Sequence, residues 1–154
     1  MHMETASFRP LMVIEVEVLP PISLGVMDIG ELRVLPFAHG TFEGPLLKGH
    51  LLPGGTDWQE LRPDGALEIR ARYLLETDRG ERIEVRSEGV RSGSPEALAR
   101  LAQGQLLPAT DYYFRTAIRL RTAAERLSRF NGLLAFSIGE RRPTGVRLSV
   151  YELL

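Results

Sequence analysis

The stretch ALEIRARYLLETDRGERIEVR, residues 66–86, contains two runs in which apolar and charged residues alternate. A period of two is typical of β-strands, because successive side chains of a strand point to opposite faces. Residues 77–81 separate the runs, and Gly80 among them suits the left-handed position of a bulged hairpin turn. The stretch therefore predicts a β-hairpin with one apolar and one charged face.

Similar alternation recurs in MVIEVEVL (12–19) and DYYFRTAIRLR (111–121). LLAFSI (133–138) and GVRLSVYEL (145–153) predict two more strands at the end of the chain. Many antiparallel strands with few helices are compatible with a barrel or a sandwich, and strict one-sided alternation favours the barrel. We therefore predict an all-β fold, a single antiparallel β-barrel with one or two short helices, and one domain over residues 1–154.

Two segments depart from the strand pattern and predict the short helices. Residues 95–103 follow Ser94, a suitable N-cap, and begin with Pro95 at the first helical position. Residues 122–131 begin with Thr122, which has capping-box spacing to Glu125.

The composition excludes several classes of function. The net charge is −1, so no basic field predicts a nucleic-acid partner, and the absence of cysteine excludes disulfides and thiolate chemistry. The N-terminus lacks the features of a signal peptide, and no apolar run approaches the ~20 residues of a membrane helix. We expect a cytoplasmic protein without a membrane partner.

Three quoted segments resemble one family. HGTFEGPLLKGHLLPGGTDWQELRPDG (39–65), ARYLLETDRGERIEVRSEGVRSG (71–93) and YYFRTAIRLRT (112–122) are similar to the domain of unknown function DUF3237, also called UPF0311. The resemblance runs from about Leu32 to the C-terminus. It implies an antiparallel β-barrel without a settled activity.

The strongest candidate for a functional site is GGTDW, residues 54–58. In one interpretation the glycines form a bend, Asp57 accepts local hydrogen bonds and Trp58 plugs one end of the barrel. In the other, Asp57 lies at a pocket mouth, where the neighbouring indole excludes water and raises the pKa of the carboxyl. Both interpretations place a largely buried Trp58 at one end of the barrel.

Arginines and tyrosines supply further candidate ligand contacts. Arg72 and Arg115 belong to a stripe of charged residues that is either a solvated outer face or, if it lines the lumen, an anion site. Tyr73 and Tyr113 lie on opposite alternation faces, so only one should reach the pocket, and we expect Tyr73. The candidate ligand-binding residues are Asp57, Trp58, Arg72, Tyr73, Tyr113 and Arg115.

Three hypotheses of function remain. The first is a barrel that binds a small apolar or partly anionic metabolite in its lumen. The second is a cofactor-free isomerase, cyclase or lyase with Asp57 or His39 as the base. The third is a structural or partner-binding protein with a filled barrel. The three histidines show no metal-site spacing, so we expect neither a metal nor a cofactor. Because the edges of sheets need covering, a homodimer is expected.

Overall fold

The computed structural model describes all 154 residues of the chain. Ten β-strands account for most of it, and one α-helix and two 3₁₀ segments lie between them. The strands are β1 Phe8–Val18, β2 Ile22–Met27, β3 Gly30–Glu43, β4 Lys48–Leu51, β5 Thr56–Leu61, β6 Leu67–Thr77, β7 Arg82–Ser92, β8 Tyr113–Arg121, β9 Ala135–Arg142 and β10 Gly145–Leu153. The helix α1 is Pro95–Ala102, and the 3₁₀ segments are Ala109–Asp111 and Glu125–Gly132.

The strands form a closed antiparallel barrel of eight strand positions, as predicted. The order is β1, β10, β9, β8, β7, β6, then β4 and β5 sharing one position, then β3, which pairs with β1 and closes the barrel. Because β3 has 14 residues, its first half pairs with β5 and its second half with β1 and β4. Only β2 lies outside the closed ring, as an extension paired with β3 alone.

The β6–β7 hairpin has the alternation that its sequence predicts. Gly80 takes a φ of 81° in the turn, a conformation that glycine adopts without strain. On β6 every second side chain from Leu67 to Leu75 is buried, whereas Arg70 and Arg72 face solvent. The apolar face of the hairpin therefore forms part of the barrel wall that faces the lumen.

One end of the lumen is filled by the segment Glu125–Gly132. Leu127 and Phe130 of this segment are fully buried, and the segment directly follows the end of β8. They belong to one core cluster with the inward side chains of the neighbouring strand ends, such as Leu75, Ile83 and Leu120. Apolar side chains therefore fill this end of the lumen.

The two predicted helices are present as short helical segments, and one prediction about them is wrong. In α1 the Ser94 Oγ accepts a hydrogen bond from the Ala97 N–H at 3.1 Å, as the N-cap assignment requires. The second segment is a 3₁₀ helix that begins at Glu125, and no capping box forms. Instead, the Asn131 side chain bonds to both backbone groups of Thr122, at 2.8 and 2.9 Å, which fixes the segment as a loop over the barrel end.

Replacing Phe130 with alanine tests the role of the plug. We expect Phe130→Ala to lower the free energy of unfolding by about 3–5 kcal/mol, because it opens a cavity in a fully buried site. Leu134→Ala is the control, since Leu134 is 52% exposed and its truncation should change stability by less than about 0.5 kcal/mol. Urea unfolding of both variants measures the difference, and equal losses would contradict the assignment of Phe130 as the plug.

Candidate functional site

The other half of the lumen is hollow. A cavity of about 880 Å³ extends from the middle of the barrel to a mouth surrounded by residues 19–21, 62–65 and 142–145 and by α1. The cavity exists because several inward side chains at this level are small, among them Ala71, Ser87 and Thr116. Its apolar wall includes Val16, Leu35, Phe37, Leu67, Ile69, Phe114 and Leu148.

Asp57 lies in the cavity wall on β5. Gly54 forms the preceding bend with a φ of 100°, and Gly55 lets the chain pass close to Phe37 and Tyr73. A Cβ on Gly55 would lie 2.7 Å from the Tyr73 Cβ, so a larger residue would push β5 away from its neighbours. The double glycine therefore determines where β5 begins and directs Asp57 inward.

The Asp57 carboxylate is buried and accepts two hydrogen bonds. Its Oδ1 accepts from the Arg70 backbone N–H at 3.0 Å, and its Oδ2 accepts from the Gln59 Nε2 at 2.7 Å. Burial raises the pKa of the Asp57 carboxyl, although these two hydrogen bonds and the charges of Arg33 and Arg91 act in the opposite direction. A buried carboxyl with a raised pKa is a candidate for proton transfer.

Gln59 connects Asp57 to the first of three inward arginines. The Arg33 Nε donates to the Gln59 Oε1 at 2.8 Å, while the amide of Gln59 donates to Asp57. The amide thus links a cation to an anion through one polar chain. Burial lowers the pKa of Arg33, although the charges of Glu31 and Asp57 act in the opposite direction.

Arg91 and Arg141 complete a group of guanidiniums on the cavity wall. Burial, together with the charges of Arg141 and Arg33, lowers the pKa of Arg91 to about 10. The Arg91 Nε is buried without a hydrogen-bond partner. The Arg141 guanidinium donates to the carbonyl of Leu101 near the end of α1. Of these three arginines, Arg91 is the one that has a fully buried nitrogen without a hydrogen-bond partner.

Tyr73 contributes a second polar atom without a partner. Its hydroxyl is buried and makes no hydrogen bond, while its ring packs edge-on against Phe37 with 5.3 Å between the centroids. Burial and then the charge of Asp57 raise the pKa of Tyr73. The hydroxyl is therefore a neutral donor near a carboxylate, on the cavity wall.

Comparison with known proteins identifies the family. Residues 6–153 match the family described as "Protein of unknown function (DUF3237)". The chain belongs to the DUF3237 family. A UPF0311 protein of Clostridium acetobutylicum is 29% identical over 153 residues, which cover 99% of this chain and 97% of that protein.

Two crystal structures of similar proteins have the same barrel. A protein of unknown function from Rhodopseudomonas palustris has a TM-score of 0.93 at 28% identity, with 99% of this chain and all of that chain covered. A "beta-barrel like protein" from Acinetobacter baumannii has a TM-score of 0.87 at 35% identity, with 99% of each chain covered. The resemblance inferred from the sequence is thus confirmed, and it extends over almost the whole chain.

Several residues selected from the sequence lie outside the cavity of this DUF3237 barrel. Trp58 is 57% exposed, so the expectation of a buried plug at the barrel end is wrong. The reason is the pleat, because Asp57 faces inward and the next residue must face outward. Tyr113 is 50% exposed on the outer face, whereas Tyr73 lines the cavity.

The charged candidates also lie on the outer surface. Arg72 is exposed and donates to Glu84 at 2.7 and 3.0 Å. Arg115 donates to the Phe114 carbonyl and lies 5.0 Å from the ring centroid of Tyr113. His39 is exposed and is not among the residues that line the cavity. The arginine stripe is therefore a solvated face, and the cavity contains a different set of arginines.

The inward arginines could have been found from the alternation. Arg91 is separated by even numbers of residues from the apolar Ile83 and Val85, so it belongs to their face of β7. Arg141 has the same relation to Ala135 on β9.

No helix of the structure has the length and apolar character needed to span a membrane.

Because burial raises the pKa of Asp57, we expect the free energy of unfolding to depend on pH through this carboxyl. The folded chain binds a proton at this carboxyl more tightly than the unfolded chain does. The stability that this protonation contributes is therefore fully present below the unfolded-state pKa of about 3.9. This stability is lost as pH rises through the folded-state pKa. The difference in unfolding free energy between the wild type and Asp57→Asn should therefore fall as pH rises from ~4. Urea unfolding at a series of pH values measures it.

Asp64→Asn is the matched control and should show the opposite slope. Asp64 is exposed, and its hydrogen bond from Arg62 lowers the pKa of its carboxyl. Its contribution is present above the unfolded-state pKa and is lost as pH falls through the folded-state pKa. The same slope for both variants would contradict the assignment of Asp57 as a carboxyl dominated by burial.

Proposed function

We propose that this DUF3237 barrel binds a small, largely apolar molecule that carries an anionic group. The observation that carries the proposal is the charge of the cavity wall. Arg33, Arg91 and Arg141 all contribute to it, and Asp57 is the one buried carboxylate among its lining residues. All three arginines are half-buried, and an excess of partly buried positive charge is costly unless an anion accompanies it.

The partners of each arginine indicate where the anion would bind. Arg33 is bound to Gln59, and Arg141 is bound to the carbonyl of Leu101. Arg91 is the guanidinium with a buried nitrogen that has no partner. A carboxylate or a similar oxyanion at Arg91 would satisfy this nitrogen, because guanidinium can hold a carboxylate through two parallel hydrogen bonds.

The rest of the cavity suits an apolar body. Phe37, Phe114 and Leu148 form surfaces that water cannot hydrogen-bond to, and the mouth lies at the end with α1. A volume of about 880 Å³ lies within the range of ligand pockets, about 300–1,000 Å³. A hollow lumen also argues against the alternative of a purely structural, filled barrel.

Arg91→Met tests the proposal with the fluorescent probe 1-anilinonaphthalene-8-sulfonate, which is apolar and anionic. We expect the variant to bind the probe at least ~10-fold more weakly, because hydrogen bonds to a charged group contribute about 1.5–3 kcal/mol. A fluorescence titration measures the affinity. A thermal melt should show that the variant is as stable as the wild type or more so, since it removes a buried guanidinium near two others.

Arg119→Met is the matched control for the loss of charge. Arg119 is an exposed arginine on the outer face of β8 and forms no ion pair. Its substitution should leave the probe affinity unchanged. Equal binding by Arg91→Met and the wild type, or equal weakening in both variants, would refute the proposed anion site.

A second candidate function is cofactor-free proton transfer, and the neighbouring Asp57 and Tyr73 favour it. His39 lies outside the cavity, so Asp57 is the one candidate base that faces a bound molecule. The carboxylate would take a proton from the carbon next to a carbonyl group, and the Tyr73 hydroxyl would donate a hydrogen bond to the enolate oxygen. Return of the proton to another carbon would give an isomer, with no electron acceptor needed.

Exchange of carbon-bound protons in D₂O tests this second function. We expect the wild type to accelerate exchange of the α-protons of a panel of 3-oxo carboxylic acids, followed by ¹H NMR. Asp57→Asn should abolish the acceleration, and Tyr73→Phe should reduce it by at least ~10-fold, within the usual range for a lost transition-state hydrogen bond. Exchange at the rate of protein-free buffer, with all acids, would exclude the activity for this panel while leaving the binding proposal intact.

A further inference from the structure

The outer surface behind the cavity carries an exposed apolar row. Ile22 on β2 pairs with Val34 on β3, which pairs with Trp58 on β5, so the three side chains lie side by side on the outer face. Ile22 and Trp58 are 59% and 57% exposed. Leu32 lies in the next row of the same face and is half-buried. We call Ile22, Leu32, Val34 and Trp58 the Trp58 face.

This face has the features of a protein interface. Exposed tryptophan is uncommon on a monomer surface, and tryptophan is enriched among the residues that contribute most to binding between proteins. The adjacent strand β2 pairs only with β3, so its other edge is open. Open edges of sheets are usually covered by another element or by another chain.

Two charged residues beside Trp58 indicate what covers the face. Arg70 lies opposite Trp58 on β6 and is exposed, and its guanidinium forms no ion pair, although Glu88 lies opposite it on β7. Glu60 lies two residues beyond Trp58 on β5 and its carboxylate also has no partner, while Glu68 lies opposite it. The face thus carries one unpaired charge of each sign next to its central aromatic residue.

We propose that the Trp58 face binds a second copy of this chain. A two-fold axis that passes through Trp58 diagonally to the strands brings Arg70 next to Glu60 of the partner subunit, and the symmetry repeats the pair. Two such pairs and a central pair of tryptophans make the surface complementary to itself. Strands of the two sheets then cross at a large angle, which is a known way for sheets to pack.

Trp58 itself reports on the proposed contact, because it is the only tryptophan of the chain. As the concentration of the full-length protein rises from ~1 to ~100 µM, a range suited to a dimer of moderate affinity, we expect sedimentation to show a monomer–dimer equilibrium. Over the same range the tryptophan emission should move to shorter wavelength, and quenching by iodide should decrease. Both optical changes follow from burial of the indole.

Substitutions locate the contact. Ile22→Glu, which keeps the tryptophan, should weaken the dimer at least ~30-fold, because it places a charge in the apolar row of the Trp58 face. Leu134→Glu is the matched control, since Leu134 is also about half exposed but lies before β9, away from the face, and it should leave the dimer unchanged. Circular dichroism and a thermal melt check that both variants are folded.

A charge exchange distinguishes a second copy from any other partner. Arg70→Glu and Glu60→Arg should each weaken the dimer. Each substitution places two charges of the same sign next to each other in both symmetry-related pairs. The double variant should recover the affinity to within about 3-fold of the wild type, since both pairs are restored in reverse. A chain that stays monomeric over the whole range, whether or not another protein binds the face, overturns the proposal. A dimer that Ile22→Glu and the single charge variants leave intact also overturns it.

Discussion

Closure of the sheet into a barrel requires every strand residue to face either the lumen or the outside. Neighbouring residues of one strand therefore have opposite environments, and β5 shows the consequence. Asp57 is buried at the cavity wall, while Trp58 beside it is exposed. The carboxylate and the indole of GGTDW do not form one site. They belong to two surfaces, and the two glycines set the start of the strand that separates them.

The two halves of the lumen have opposite physical properties. The end at Phe130 is filled with apolar side chains, and burial of each contributes roughly 1.5–3 kcal/mol. The wall of the other half carries the guanidiniums of Arg33, Arg91 and Arg141 and the carboxylate of Asp57, and burial in a medium of low polarity destabilises these charges. Arg62, Asp64 and Arg142 lie at its mouth. The barrel stays folded with such a charged half because the apolar packing of the other half supplies the stabilising free energy. The hydrogen bonds from Arg33 to Gln59 and from Gln59 to Asp57 reduce the free-energy cost of burying these charges. They leave the Arg91 Nε without a hydrogen-bond partner.

The sequence was sufficient for the fold and for part of the site. The β6–β7 hairpin, the family and the barrel follow from alternation and from motifs, and Asp57 and Tyr73 lie in the cavity wall. The prediction for Trp58 is wrong because the alternation of β5, which turns Asp57 inward and Trp58 outward, overrides the general preference of tryptophan for burial. The arginines of the cavity are not among the predicted site residues for a different reason. Arg91 lies near the end of β7, beyond the apolar residues whose period identifies the strand, and a charged side chain there is normally assigned to solvent.

What sequence periodicity cannot supply is the distance between groups from different strands. Arg33, Arg91 and Arg141 are far apart in the chain. Only closure of the barrel buries Arg91 and brings the other two charges near it, and burial together with these charges lowers the pKa of Arg91. Closure also places the Trp58 face, the proposed contact surface, directly behind the cavity. A partner that holds Trp58 would restrain the six residues of β5, including the backbone that carries Asp57 and Gln59. A dimer contact on this strand would therefore make the polar wall more rigid, and a rigid wall binds an anion with a smaller loss of conformational entropy.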